Sequence, residues 1–575
     1  MSYLSSNHSF YSYIVTTKNT ILVLFLFFNF QYSFSTVVTY PKPPGFDSIP
    51  LPHLKESSDY TVTVNGQSSF VYESDNYWDG GGNPQLRRME TKAAFTNFDF
   101  KGEIVTVKVG CKFKVNSVTI RPKSDMISFT QKGDTVIFSF RKSKYLSVEI
   151  NDRLKPLFIF ADSIETPPAA AANVTIYGPG IHYVGTKCAL PRAQTVYIAG
   201  GAVVIGTFTS NGNNLKIKGR GILNSGGVTW DEWMLDKSLS PLATAGGSMD
   251  YYQVGGITML NAPGWHVNAY GDKTKFVNLK CIAWCGNSDG PHLNGNGVMT
   301  HCFIFNNDDA LITNKGDNNT FTDCVVWGGY WGHPLISLTD NSQNHVTWQD
   351  IDVIGAQAYL TFRVGKIISI ETAMDNAPVP ATAVKQNFLF KNIRIEGQLP
   401  DRNGLIYMCA QDSAVIKNIT FENITTELLR TNAGDTEGAF DIKHATAKID
   451  SIAFKGLRMN NELISSLAQA HFKASGPGTN ALNMTRVIFD NTGYLQTEVE
   501  TVNEMPKIQF YTSNGKLKFN AGDININTVN IYNSAGAKVK SGKIDNIDIE
   551  NLPVGVYHIK AEADGINYVG KFLKK

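Results

Sequence analysis

From about residue 173 onward, apolar and polar residues alternate in short runs, each closed by Asn or Gly. The runs read KFVNLKCIAW (275–284), VMTHCFIF (298–305), NTFTDCVVW (319–327) and HVTWQDIDVI (345–354). FLFKNIRIEG (388–397), VIKNITFENI (415–424) and IAFKGLRM (452–459) follow. A period of two is the mark of half-buried strands. The runs recur every 21 to 27 residues at first and about every 30 later, without helical patterning between them. Strand-only repeats of that length cannot bury their apolar faces alone and must stack, which predicts an all-β chain built around a parallel β-helix over 171–500. Coils in such a stack lie about 4.8 Å apart. Cys281, Cys302 and Cys324, 21 and 22 residues apart, then fall at equivalent positions on consecutive coils. They read as a ladder of small buried hydrophobes rather than as disulfide partners.

The flanking regions carry a different pattern. TVTVNG, EIVTVKVG, NSVTIRP, DTVIFSF and YLSVEIN lie between 61 and 151 with turn residues at short spacing. They predict an antiparallel β-sandwich over 36–170, with PPAAAA (167–172) as its junction with the solenoid. A tail over 505–575, with the hairpin signal TVNIYNSAGAKV, predicts a second, small sandwich. At the other end, the apolar run ILVLFLFFNF (21–30) follows Lys18 and precedes Ser33, Phe34 and Ser35. A basic flank, a short apolar core and small residues make 1–35 a secretion signal, with an N-terminal membrane anchor as the alternative. No later run is of similar hydrophobic length, so the mature chain is expected to be exported without a membrane span.

Composition narrows the classes. The 575 residues hold 52 Lys and Arg against 50 Asp and Glu, a net charge of +2, and 42% of positions are hydrophobic. That balance excludes a strongly basic nucleic-acid binder and an acidic disordered chain. The seven cysteines form no CxxC pair and no zinc spacing.

The candidate chemistry lies between 287 and 366. Asn287-Ser288-Asp289-Gly290 is followed by Asn307-Asp308-Asp309-Ala310, about one coil later. Stacking should gather Asp289, Asp308 and Asp309 on one face. Repulsion between them favours one protonated carboxyl beside an ionised one, the arrangement that glycosidic cleavage needs. Later coils add His333, which suits orienting an acid or binding a hydroxyl, and Arg363 and Lys366, which suit hydroxyls or a substrate carboxylate. Trp331 and Tyr359, with Trp265, Trp284, Trp327 and Tyr330, offer faces for sugar rings. Each motif alone also reads as turn chemistry, and the three carboxylates also suit Ca²⁺. His292, His301 and His345 show no partner pattern.

These residues resemble a known group. NSDG, NDDA, GH followed by ISL (336–338), and Arg363 are similar to the NTD, DD, GHG and RIK series of the polygalacturonases, glycoside hydrolase family 28. GRGILNSGGVTW (219–230) and GITMLNAPGWHV (256–267) resemble the family's upstream segments. The order and spacing also fit the same clan's dextranase family, glycoside hydrolase family 49, and YLSVEIN with PLFIFAD (156–162) looks more like the sandwich that precedes the solenoid there. The sequence departs from the first series at Ser288, at Pro334, and in RVGK, one residue longer than RIK. VNIYNSAGAKV, LPVGVYHIK and the basic end GKFLKK resemble C-terminal sorting domains of type IX secretion.

The resemblance implies a right-handed, pectin-lyase-like β-helix and hydrolysis with inversion. In it, Asp308 is the general acid, Asp289 and Asp309 activate water, and His333 orients the acid. Asn287, Arg363 and Lys366, with Trp331 and Tyr359, bind substrate. It implies no cofactor and no metal. The expected protein is a secreted or surface-attached monomeric glycosidase that meets a polysaccharide and, through its tail, the secretion machinery. A pectin-type uronan is favoured and a dextran- or pullulan-type α-glucan is the alternative. A non-catalytic glycan-binding solenoid and a Ca²⁺-dependent β-eliminating lyase are the readings from other classes.

Overall fold

A computed structural model describes the chain except residues 1–10, 18–19, 27–35, 76–91, 103, 330–331, 339–340, 357–365, 373–382, 397–403, 428–437, 476–483, 495–508, 514–515, 521–525, 534–536, 543–546, 564–565 and 575. The chain divides into two compact units, Met1–Leu495 and Gln496–Lys575.

The first unit is dominated by a parallel β-helix. Its described strands run from Val174–Tyr177 to Met484–Asp490, and successive coils pair in parallel. A second parallel sheet, from His292–Leu293 through Leu311–Thr313, Leu335–Ser337 and Lys366–Glu371 to Phe472–Ser475, closes the other side. Two ladders explain the alternating runs. Inside, the aromatic residues Phe321, Trp348, Phe390, Phe421, Phe454 and Phe489 stack face to face at 4.6–5.3 Å, one per coil. Outside, Asn392 and Asn423 stand at one corner with φ of 52° and 53°. Asn392 Nδ2 donates to Asp350 Oδ1 and Asn423 Nδ2 to Asn392 Oδ1, both at 2.8 Å. Asn tolerates the left-handed conformation that turns the chain, and its amide satisfies the neighbouring coil. Asn392→Ala is therefore expected to cost about 1–2 kcal/mol, read as a lower urea midpoint.

The period is less regular than the runs suggested. Thr347 pairs with Leu389, so that coil is much longer than its neighbours. The cysteine register also differs from expectation. Val325 N donates to Cys302 O, which sets Cys302 level with Cys324, but Cys281 pairs with Ile304, two residues further along. A shift of two keeps the side chain inward, so all three thiols stay buried, and none of the seven cysteines is in a disulfide.

The N-terminal module has two sheets. One holds Thr36–Thr39, Leu54–Glu56, Tyr72–Ser74, Ala93–Lys101, Val118–Arg121, Lys144–Ile150 and Leu157–Ser163. The other holds Tyr60–Val64, Gln67–Ser69, Val105–Cys111, Phe129–Lys132 and Thr135–Phe140. It is not wholly antiparallel: Leu157–Ser163 pairs in parallel with Ala93–Lys101. Both strands are buried on both faces, the condition under which parallel pairs are usual. One face, with Phe98 and Ile159, packs into the sandwich, and the other, with Phe95, Phe158 and Phe160, packs on Phe303, Phe305 and Trp327 of the β-helix.

That contact also buries charge. Lys280 Nζ meets Asp162 Oδ2 at 2.5 Å, Tyr145 Oη donates to Asp162 Oδ1 at 2.7 Å, and Arg220 Nε donates to Asp99 Oδ1 at 2.7 Å. Burial pushes Asp162 upward, but Lys280 and Arg220 outweigh it and hold the carboxyl below its ordinary range.

Of the expected signal segment, Tyr11–Thr17 and Thr20–Leu26 form an antiparallel pair, and the rest lies outside the described residues. Among the described residues no helix is long and apolar enough to cross a membrane. In the second unit the described strands pair antiparallel. The expected hairpin is present, with Val529 opposite Gly542, and Val529, Ile531, Ile547 and Ile559 are buried.

Candidate active site

Asp289, Asp308, Asp309 and His333 all lie in the connections that lead into the second parallel sheet. His292 pairs with Ile312 and Leu311 with Leu335. Continued back, these registers set Asp289 level with Asp309, and Asp309 level with His333. The backbone agrees: Gly290 N donates to Asp309 O at 2.8 Å and Ala310 N to His333 O at 3.0 Å. Asp308 is next to Asp309 in the chain, and the three acids are each under 10% exposed.

Local sequence makes this stacking possible. A Cβ on Gly290 would sit 2.1 Å from Ala310 O, and one on Gly332 would sit 2.0 Å from Asp309 N. Only glycine lets the coils approach so closely. Ser288 Oγ accepts from Asn307 N at 3.0 Å, and Asn306 Nδ2 donates to Ser288 O and Asp309 O. Ser288 supplies this hydroxyl where the resembling motif has Thr. Asp309 N donates to Asp308 Oδ1 at 3.0 Å, which fixes the direction of that carboxylate.

Two histidines serve two of the acids. His333 engages Asp309 Oδ1 through its backbone N–H at 2.7 Å and through Nδ1 at 3.1 Å. His292 Nε2 lies 3.2 Å from Asp289 Oδ2. Burial lowers the His292 pKa to about 4, against an opposing pull from the charge of Asp309. The ring is thus neutral near pH 7, and when Asp289 is ionised Nε2 is the nitrogen that donates, because an ionised carboxylate only accepts. His266 lies beneath, with Nδ1 2.8 Å from Asp289 O, and burial lowers its pKa to about 4 as well.

The wall comes from the insertion that carries the short helix Trp230–Leu235. Thr229 and Glu232 cap the helix reciprocally. Trp230 Nε1 donates to Asn287 Oδ1 at 3.3 Å. The rings of Trp233 and Trp265 are 5.7 Å apart, and those of Trp265 and His292 are 5.3 Å apart. Lys237 Nζ lies 3.4 Å from the Trp233 ring centre. Burial lowers the Lys237 pKa while the charge of Asp289 opposes the shift, and burial followed by Asp289 raises that of Tyr270.

The other expected residues divide as follows. The register Leu335 to Ile368 sets Lys366 level with His333, in the strand Lys366–Glu371. Arg363, Trp331, Tyr359 and Tyr330 lie outside the described residues. Trp284 stacks on Phe305 at 4.6 Å, and Trp327 is fully buried beside the sandwich, so both are packing residues rather than open platforms. Sequence reading missed His292, whose signal was its position three residues after Asp289. It also missed Trp230, Trp233 and Lys237, which reach the site only through the fold.

No curated protein matches the chain by sequence. Among solved structures, Dex49A from Penicillium minioluteum superposes with a TM-score of 0.57 at 17% identity, over 76% of this chain and 96% of that one. The family 28 exopolygalacturonase of Yersinia enterocolitica is matched over 80% of this chain and 96% of its own, at 10% identity and a TM-score of 0.34. Residues 496–575 match the family described as the secretion system C-terminal sorting domain. The chain thus joins a β-helical unit with the fold of Dex49A to a secretion-system C-terminal sorting domain.

Proposed function

We propose that the protein is a secreted or surface-attached glycoside hydrolase that cleaves an α-linked polysaccharide. The observation that carries this reading is the buried stack of Asp289 and Asp309 with Asp308 beside them, two of the three acids held by their own histidines. Asp308 protonates the leaving glycosidic oxygen. Asp289 and Asp309 take a proton from the attacking water, which adds to the anomeric carbon with inversion. His333, bonded to Asp309, orients a base rather than the acid. Asn287, tied to Trp230, faces the substrate, and Trp265 supplies an aromatic wall. The C-terminal unit directs export or surface attachment and takes no part in the chemistry.

A pectin-type uronan is the favoured substrate, because Lys237 lies near Asp289 and Lys366 is level with His333, while Arg363 stands three residues earlier in the sequence. These cations suit a carboxylate on the sugar. The likeness in fold to Dex49A favours a second reading, an α-glucan without that carboxylate. Release of reducing ends by the purified protein from polygalacturonate, dextran, pullulan and algal galactans tests both. Activity on polygalacturonate alone supports the first, activity on a neutral α-glucan supports the second, and no release from any of them contradicts hydrolysis.

A further inference from the structure

We infer that His292 is a positioning residue for Asp289, braced from behind by the aromatic pair Trp265 and Trp233. The inference rests on the hydrolase reading for its kinetic consequence, but the His292–Asp289 pair stands on geometry alone.

The arrangement is a relay of contacts. Trp233 is fully buried, and its indole Nε1 donates to Ser240 Oγ at 2.9 Å, which anchors the insertion. Its ring packs edge-on against Trp265, and Trp265 packs on the His292 imidazole. His292 opens the strand His292–Leu293, so its backbone is pinned by pairing with Ile312. With ring plane and backbone both fixed, Nε2 has one direction left, towards Asp289 Oδ2. A carboxylate that must collect a proton from water works best when its orientation is set before the substrate arrives. A neutral donor does this without cancelling the negative charge that makes the group basic. Among the described residues, Asp289 is in contact with the ring and the charge of Asp309 acts on it. The charge of Asp289 also acts on Lys237 and Tyr270, His333 is bonded to Asp309, and Asp308 is next to Asp309 in the chain. Burial keeps the imidazole uncharged among them.

The test compares His292→Ala, His292→Gln and Trp265→Leu with the wild type on whichever polysaccharide the wild type cleaves. In Gln the amide reproduces a donor near the place of Nε2. Removing a donor from a charged acceptor disfavours the ionised form. His292→Ala should therefore lower kcat about 10-fold or more, change KM less than about threefold, and move the acidic limb of the pH–rate profile up by about one unit. His292→Gln should recover most of the loss, and Trp265→Leu should show a smaller shift of the same sign. An unmoved limb in His292→Ala, or a Gln variant as poor as Ala, overturns the inference. Imidazole nitrogen NMR on the full wild-type chain gives a readout independent of activity. It should show His292 neutral and protonated on Nε2 from pH 5 to 8, and Asp289→Asn should alter that signal. A cationic ring at pH 7, or a signal indifferent to Asp289→Asn, counts against the pair even if the chain proves to be no hydrolase.

Discussion

Asp308→Asn is expected to lower kcat by about 10²–10⁴-fold while leaving the fold intact, the range that a positioned general acid contributes. The substitution is nearly isosteric. Its remaining carbonyl oxygen can still accept from Asp309 N, as Asp308 Oδ1 does at 3.0 Å, so the turn is preserved. In the proposed mechanism, what is lost is the proton for the leaving oxygen. The neighbouring Asp309 does not replace it, because His333 holds that carboxylate through two contacts. Initial rates of reducing-end release, with a thermal melt as the control for folding, check the prediction. A fully active Asp308→Asn protein with an unchanged melt would remove Asp308 from the chemistry.

The second large effect concerns stability. Lys280→Met should destabilise the first unit by about 3–5 kcal/mol, because it strands Asp162 in a buried contact. Both side chains are almost completely inaccessible, and the carboxylate is shared by Lys280, Tyr145 and the Arg220 guanidinium. Replacing both members, Lys280→Met with Asp162→Leu, should recover much of the loss, since a buried ion pair is often no better than a packed apolar pair. The pH dependence has a definite sign. Asp162 in the folded chain lies below its ordinary value of 3.8. Its contribution is therefore present above that value and is lost as pH falls through the lowered one. Urea midpoints of the three proteins at pH 7, and of the wild type at falling pH, measure these effects. Equal midpoints for the wild type and Lys280→Met would show that the junction carries little of the stability.

Much of this architecture was legible in the sequence, for identifiable reasons. The alternating runs encode the inward aromatic ladder and the Asn corners directly. The acids were legible because one coil of a β-helix is nearly constant near Asp289, so a spacing of about 20 residues becomes adjacency. The Cys281 register failed for the converse reason: corners absorb residues unevenly, and a shift of two preserves burial while moving the position. The parallel pair in the sandwich had a signal in PLFIFAD, a run apolar at successive positions, but turn spacing dominated the reading. Trp284 and Trp327 look like sugar platforms until the sandwich is seen to cover that flank of the β-helix. His292 was within reach at three residues from Asp289. Trp265 was read as a face for a sugar ring, but its contact with Trp233 and the imidazole was not within reach, since only the folded insertion brings Trp233 there.

The proposed chemistry is the addition of water across a glycosidic bond at the stacked acids. Proton NMR of the first products released from the polysaccharide that the wild type degrades tests it most directly. Saturated new reducing ends that appear first as the inverted anomer are the expected result. Unsaturated termini, the signature of β-elimination, or first-formed ends that keep the original configuration would contradict it.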